Sequence, residues 1–210
     1  MQIVFDNVTT TEGLQDFSLA LETTGCTVIY DPHEQISRYI LSALVGLEEV
    51  EKGTLLINGK TYPDFIAQAP LLATFGYVFD EGIMLANLSL RENLLLPWRK
   101  RFEGKSDSGF QQSLNLWLER LELSIDLNLR PAHVSPAVRK QLGYVRSFML
   151  KPQLMLIDDP YYLFNKLERE QILRFLHSVK PQQEMLIASA DDDFIGEIAS
   201  RIVDLSGVCQ

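Results

Sequence analysis

The sequence predicts an α/β domain built on a mainly parallel sheet covered on both faces by helices. Two observations lead there. Short apolar runs of strand length alternate with stretches whose apolar residues recur at helical spacing, and 210 residues, 46% of them hydrophobic, suffice for a sizeable core in one domain or in a domain with a small lobe. A third observation narrows the class: no segment reaches about 18 uninterrupted apolar residues, and the start, Met1-Gln-Ile-Val-Phe-Asp6, lacks a signal-peptide pattern. The chain is therefore expected neither to cross a membrane nor to be exported.

In chain order, the runs 3–8, 17–21 and 27–30 read as strands, with Thr24-Gly25 as the turn before the third. A helix is predicted over 35–47, because Ile36, Ile40, Ala43, Leu44 and Leu47 share one face. The strand 54–57 closes at the turn pair Asn58-Gly59, and 75–79 reads as a buried strand. Residues 89–123 read as helical with a break around Pro97, and the Gly- and Ser-containing loop 103–109 is the best internal boundary. Helix 135–150, strand 154–157, helix 166–179, strand 185–189, helix 194–199 and strand 201–205 complete the alternation. No repeat or low-complexity tract interrupts it, and no regulatory tail is expected beyond the last strand.

The formal net charge of −9 argues against a nucleic-acid partner, whose phosphates call for clustered Lys and Arg. Cys26 and Cys209 lie at opposite ends of the chain without disulfide or metal spacing, which fits a reducing cytosol. His33, His133 and His177 are scattered and read as surface or loop positions. The run Asp191-Asp-Asp193 suits a helix N-terminus better than a cation site.

Several fragments, in this order, resemble the ATP-binding cassette family across almost the whole chain. Gly46-Leu47 followed by Gly53-Thr-Leu-Leu-Ile-Asn-Gly59 is similar to the segment after the family's phosphate-loop helix. Phe75-Gly-Tyr-Val-Phe79 and Leu88-Ser-Leu-Arg-Glu-Asn-Leu-Leu-Leu-Pro97 resemble its glutamine-loop strand and the start of its helical lobe. Pro131-Ala-His-Val-Ser135, with Arg139 and Arg146 behind, resembles the signature region; Leu154-Met-Leu-Ile-Asp-Asp-Pro160 resembles the Walker B strand, and Arg201-Ile-Val-Asp-Leu205 the closing strand. The resemblance implies a P-loop cassette fold with an antiparallel β part and a helical subdomain. It further implies a single domain over 1–210, with a core of 1–85 and 135–210 and a helical lobe of about 86–134.

The chemistry of that family is largely replaced. A phosphate loop G-x-x-x-x-G-K-[ST] exposes glycine N–H groups to phosphate, reaches it with Lys and holds magnesium with the hydroxyl. The aligned stretch is Asp31-Pro-His-Glu-Gln-Ile-Ser-Arg38: Asp31 and Ile36 stand at the glycines, Ser37 at the lysine and Arg38 at the hydroxyl. Asp31 and Glu34 would face a ligand that is itself highly negative, although Asp31-Pro32 also reads simply as a strand-to-helix turn. Arg38 lies one residue, about 100° of helix, from the lysine position. Ser135 survives from the signature, but Pro136 removes a donor, and Ser-Pro is a favoured helix start. Asp158 retains the magnesium-binding aspartate, while Asp159 replaces the catalytic glutamate with a side chain one methylene shorter. Asp80 stands for the glutamine, Ala190 for the switch histidine and Asn165 for the dimer-loop aspartate, and 9–12 offers no ring for adenine.

The resemblance implies a degenerate, pseudo-ATPase cassette: a structural or regulatory subunit of a membrane transporter, coupled to a transmembrane permease and paired with itself or with another cassette. It would lie peripherally on the cytoplasmic face of the membrane. No cofactor is expected, and ATP and magnesium enter only under the alternative of an atypical but active ATPase using Arg38, Asp158 and Asp159. Candidates for contact with the permease are Phe79, Asp80, Leu85, Leu88, Leu94, Pro97 and Trp98, most of whose apolar members equally suit a core. Tyr161-Tyr162 is read as a hydrophobic contact at the subunit seam.

Overall fold

The computed structural model describes residues 1–33, 35–104 and 107–207. Two sheets form. Strands β1 (Gln2–Thr10), β2 (Phe17–Glu22), β4 (Val50–Ile57) and β5 (Lys60–Thr61) make an antiparallel sheet in the order β2-β1-β4-β5. Strands β3 (Cys26–Tyr30), β6 (Phe75–Val78), β7 (Leu154–Asp158), β8 (Glu184–Ser189) and β9 (Arg201–Asp204) make a parallel one in the order β6-β7-β8-β3-β9.

Strands β3, β6, β7 and β8 are near-continuous buried runs because both of their faces are covered, whereas the edge strand β9 is largely exposed. Along β7, Met155 and Ile157 face one core, shared with the helices that follow, while Leu154 and Leu156 face another, shared with the antiparallel sheet. Helix α1 (Ile36–Leu44) buries Ile36, Ile40, Leu41 and Leu44 in the second core. It ends before the predicted Leu47, at the turn through Val45 and Gly46, where the Gly46 N–H donates back to Ala43. Strand β4 begins earlier than predicted because Gly53, at φ +78°, lets it bulge against Asn7, whose carbonyl would lie 2.2 Å from any Cβ there. Asn58 and Gly59, both at positive φ, close the β4–β5 hairpin.

Two short helices, α2 (Tyr62–Gln68) and α3 (Leu71–Thr74), were not foreseen; α2 starts on a Thr61 cap with Pro63 in its first turn. Helix α4 (Leu90–Arg101) corrects the predicted break at Pro97, since it runs straight through the proline. Its start is fixed by a Ser89–Glu92 capping box, and Leu90, Leu94 and Trp98 keep one buried stripe across Pro97. Helix α5 (Asp107–Arg120) begins inside the predicted 103–109 loop, of which Lys105 and Ser106 lie outside the described residues. Both helices pack on α6 (Pro136–Met149), and α7 (Lys166–Val179) packs on α8 (Asp192–Ile198). Cys26 is buried, which pushes its thiol up to about 12, while Cys209 lies outside the described residues.

Candidate functional site

The loop between β3 and α1 is closed by its own carboxylate. Asp31, 1% exposed, accepts from the backbone N–H of His33 at 3.1 Å and of Ser37 at 2.9 Å. Gln35 at the N-cap makes no side-chain cap bond, and the first turn of α1 holds no other acid. Asp31 thus takes a donor that a helix start would otherwise offer an anion. Sequence reading set Asp31 against a ligand; the structure turns it inward onto the loop, as the turn reading allows. Glu34 lies outside the described residues.

Arg38, on the exposed side of α1, reaches across to two acids at the carboxyl ends of neighbouring strands. Its Nη2 lies 2.5 Å from Asp80 Oδ2 and its Nε 3.3 Å from Asp158 Oδ2. Ser37 and Ile36 are buried beside it. Burial pushes the Asp158 carboxyl up to about 6, against the pull of Arg38 and with Asp80 adding to the rise. Tyr77, whose hydroxyl is raised by burial and then by Asp158, backs the same region.

Asp159 serves the backbone. At φ 35°, its carboxylate accepts from the N–H groups of Tyr161 at 3.3 Å and Tyr162 at 3.2 Å, an Asx-type turn. Its carbonyl accepts from Lys140, which sequence reading missed. Lys140 is 0% exposed, donates also to the Tyr162 carbonyl at 3.1 Å, and lies over the rings of Tyr162 and Phe164. Burial lowers its ammonium to about 8, with Asp159 opposing. A signal existed, because Ala137, Lys140, Gln141 and Tyr144 sit at helical spacing on the buried face of α6.

The remaining positions are structural termini. Ser135 caps α6, its hydroxyl accepting from Val138 N–H at 3.2 Å, with Pro136 next. Asn165 and Glu168 form a capping box on α7. Asp191 caps α8 and pairs with Arg169 at 3.6 Å, and Ala190 is half-buried before it. Among the described residues no group of three or more His, Cys, Asp or Glu side chains is placed to hold a metal. Near 9–12, the ring of Tyr39 packs so closely on Gly13 that a Cβ there would lie 2.2 Å from it. The Tyr161-Tyr162 pair divides: Tyr161 is buried edge-on against Phe194, centroids 4.9 Å apart, and Tyr162 is exposed.

Beside Asp80 opens a mainly apolar groove of about 360 Å³, walled by α1's end, α3, β6, the following loop and α4. Phe79, Leu85 and Pro97 line it, together with Ile83, Leu96 and Leu47. Leu88 is half-buried outside that lining, and its carbonyl accepts from Asn93. Trp98 and Leu94, also candidates, belong instead to the core: Trp98 packs at a tilt against Phe102, centroids 4.2 Å apart, and meets Phe110 edge-on at 6.0 Å. The loop that forms the groove wall is tied down. Gly82, at φ +62°, presses on the start of α6, where a Cβ would meet the Lys140 N at 2.4 Å. Arg146 donates to the Ile83 carbonyl at 2.9 Å, and Asn93 holds both the N–H and the carbonyl of Leu85.

Comparison with known proteins places this geometry. The sequence model described as ABC transporter matches residues 39–162. The molybdenum import ATP-binding protein ModC of Pseudomonas fluorescens is 27% identical over 203 residues, covering 92% of this chain and 55% of that protein. A second such protein, from Bradyrhizobium diazoefficiens, is 30% identical over 162 residues, covering 77% of this chain and 17% of that protein. The chain spans about half the length of the first of these relatives. Among solved structures, a dimeric bacterial ABC transporter cassette superposes with TM-score 0.83 at 18% identity, covering 98% of this chain and 94% of that one. A cassette dimer bound to ADP and phosphate after hydrolysis gives 0.81 at 17%, with the same coverage.

Proposed function

The chain belongs to the ABC transporter family, and from that premise we propose that it is a degenerate cassette subunit, structural or regulatory, that couples to a transmembrane permease with little or no ATP binding or hydrolysis of its own. The observation that carries this reading is the buried Asp31 carboxylate bonded to the Ser37 N–H. A triphosphate seated on that loop would have to displace a carboxylate already bonded there, and would meet its charge in a partly dry site. The side chain of Asp159, engaged by the backbone N–H groups of Tyr161 and Tyr162, supports the same reading for hydrolysis.

The groove beside Asp80 supports the coupling half of the proposal. A membrane-protein segment with an apolar face would bury Ile83, Leu85 and Leu96, each more than half exposed. The chain would then sit peripherally at the membrane, paired with a second cassette or a second copy of itself. The relatives' printed role, molybdenum import, favours an importer as the assembly.

Two observations favour the alternative of an active, atypical ATPase: Asp158 is retained, and the relatives are named as ATP-binding proteins. Calorimetric titration of the full chain with magnesium ATP decides between the two. The proposal expects no saturable heat up to about 1 mM. Saturable binding in the micromolar range, abolished by Asp158→Asn, would establish the alternative. Affinity purification from native membranes tests the permease, which is expected to co-purify without added nucleotide.

A further inference from the structure

We infer that Arg38 is a built-in substitute for the divalent cation that the cassette fold implies at this site, so that the loop after β6 is held by the protein's own guanidinium without metal or nucleotide. This deepens the functional reading and rests on it in one respect: nothing binds the site strongly enough to displace the guanidinium.

The juxtaposition that carries it is two shielded acids around one cation. Asp80 follows β6 and Asp158 ends β7, strands paired in register at Val78 and Ile157, so both carboxylates emerge at the same end of the sheet. Their side chains are 15% and 7% exposed. Two carboxylates so shielded need a positive group between them. Arg38 supplies it, contacting Asp80 at 2.5 Å and Asp158 at 3.3 Å from two different guanidinium nitrogens. These three positions are the ones where the resemblance places the magnesium-binding hydroxyl, glutamine and aspartate.

Magnesium does not fit the residues present. The hydroxyl ligand is gone, both carboxylates are already paired with Arg38, and an octahedral ion with several waters needs the volume that the guanidinium fills. The bridge also has a mechanical consequence. Asp80 Oδ1 accepts from the Glu81 N–H at 2.8 Å, so the same side chain that grips Arg38 shapes the turn leading to Ile83 and Leu85 on the groove wall. The position of that wall is thereby referred to α1 and β7 with no ligand in between.

The test uses the full chain as wild type, Arg38→Ser and Arg38→Ser/Asp80→Asn, with Mn2+ as the probe. Free Mn2+ is read by electron paramagnetic resonance, and melting is followed in chelator and in Mn2+. Arg38→Ser, which restores a hydroxyl and uncovers two acids, is expected to bind Mn2+ at least about tenfold more tightly than the wild type and to melt higher in its presence. The wild type and the double variant are expected not to respond. Equal Mn2+ binding by wild type and Arg38→Ser overturns the inference. If Arg38→Ser does not fold in chelator, refolding with Mn2+ supports it. Failure to refold in both conditions, while the double variant folds, overturns it. Saturable magnesium ATP binding by the wild type would sink the functional reading, whereas a silent ATP titration combined with a Mn2+-insensitive Arg38→Ser sinks this inference alone.

Discussion

The carboxylate of Asp31 accepts a hydrogen bond from the backbone N–H of Ser37 at 2.9 Å, closing the strand-to-helix loop with a group from the loop itself. The same carboxylate holds the His33 N–H at 3.1 Å. Asp31→Ala leaves both donors without that acceptor and is expected to cost about 1–2 kcal/mol, as loss of a helix cap does. The freed donors at the start of α1 then favour an anion, so inorganic phosphate should raise the melting temperature of the variant and not that of the wild type. A thermal-shift series with both proteins checks this; an identical phosphate response in the two would refute it.

Lys140 gives a pH signature. Its folded value of about 8 lies below the ordinary 10.5, so between those values the unfolded chain binds more protons and stability rises with pH. The shift corresponds to about 3 kcal/mol across the window. Urea denaturation of Lys140→Met against wild type, at several pH values between 7 and about 10.5, should show this limb in the wild type alone. Parallel curves for the two proteins would remove the buried ammonium from the explanation.

Asp158 acts in the opposite sense. Its folded value of about 6 exceeds the ordinary 3.8, so the native state binds more protons within that window and stability falls as pH rises through it. Burial of the charge outweighs the attraction of Arg38. Asp158→Asn is therefore expected to be as stable as the wild type at pH 7, or more stable by about 1 kcal/mol, and to lose the slope below pH 6. Destabilisation of more than about 2 kcal/mol at neutral pH would show that the ion pair, not its burial, dominates.

Leu85 reports on the groove. It is 51% exposed, so Leu85→Glu should leave the melting temperature within about 2 °C of the wild type. Recovery of the permease from membranes should fall by about tenfold if this wall meets an apolar segment. Unchanged recovery would place the permease contact elsewhere.

Most of the architecture was legible because it follows from periodicity. The interiors of β7 (Leu154 to Ile157) and β8 (Met185 to Ala188) are unbroken apolar runs of strand length, as strands covered on both faces require, and the helix read over 166–179 has those bounds in α7. The predicted break at Pro97 failed because Leu94 and Trp98 continue the buried stripe past it, and packing outweighs one missing ladder bond. Helices α2 and α3 are too short to show a period. At the site, the replaced residue types could be read from the sequence, but their new partners could not. That Asp31 turns inward, that Arg38 spans two strand ends and that Asp159 caps its own turn depend on side-chain direction across the fold. Local spacing does not encode it.

The closed loop also bears on how such a chain changes over generations. Ser37→Lys alone would set an ammonium near the Asp31 carboxylate, which would pair with it before any phosphate arrived. Arg38→Ser alone would take from two shielded carboxylates the cation that contacts both, and Asp31→Gly alone would remove the acceptor that closes the turn. The three positions share one short segment, with the Asp31 carboxylate on the Ser37 N–H and Arg38 next in the chain, so their effects are not expected to add. Each reversal taken singly gives up a contact of the ligand-free fold and restores only part of a nucleotide site, so stepwise drift acts as a ratchet against recovering catalysis, and an engineered return to ATP use would have to exchange these residues together.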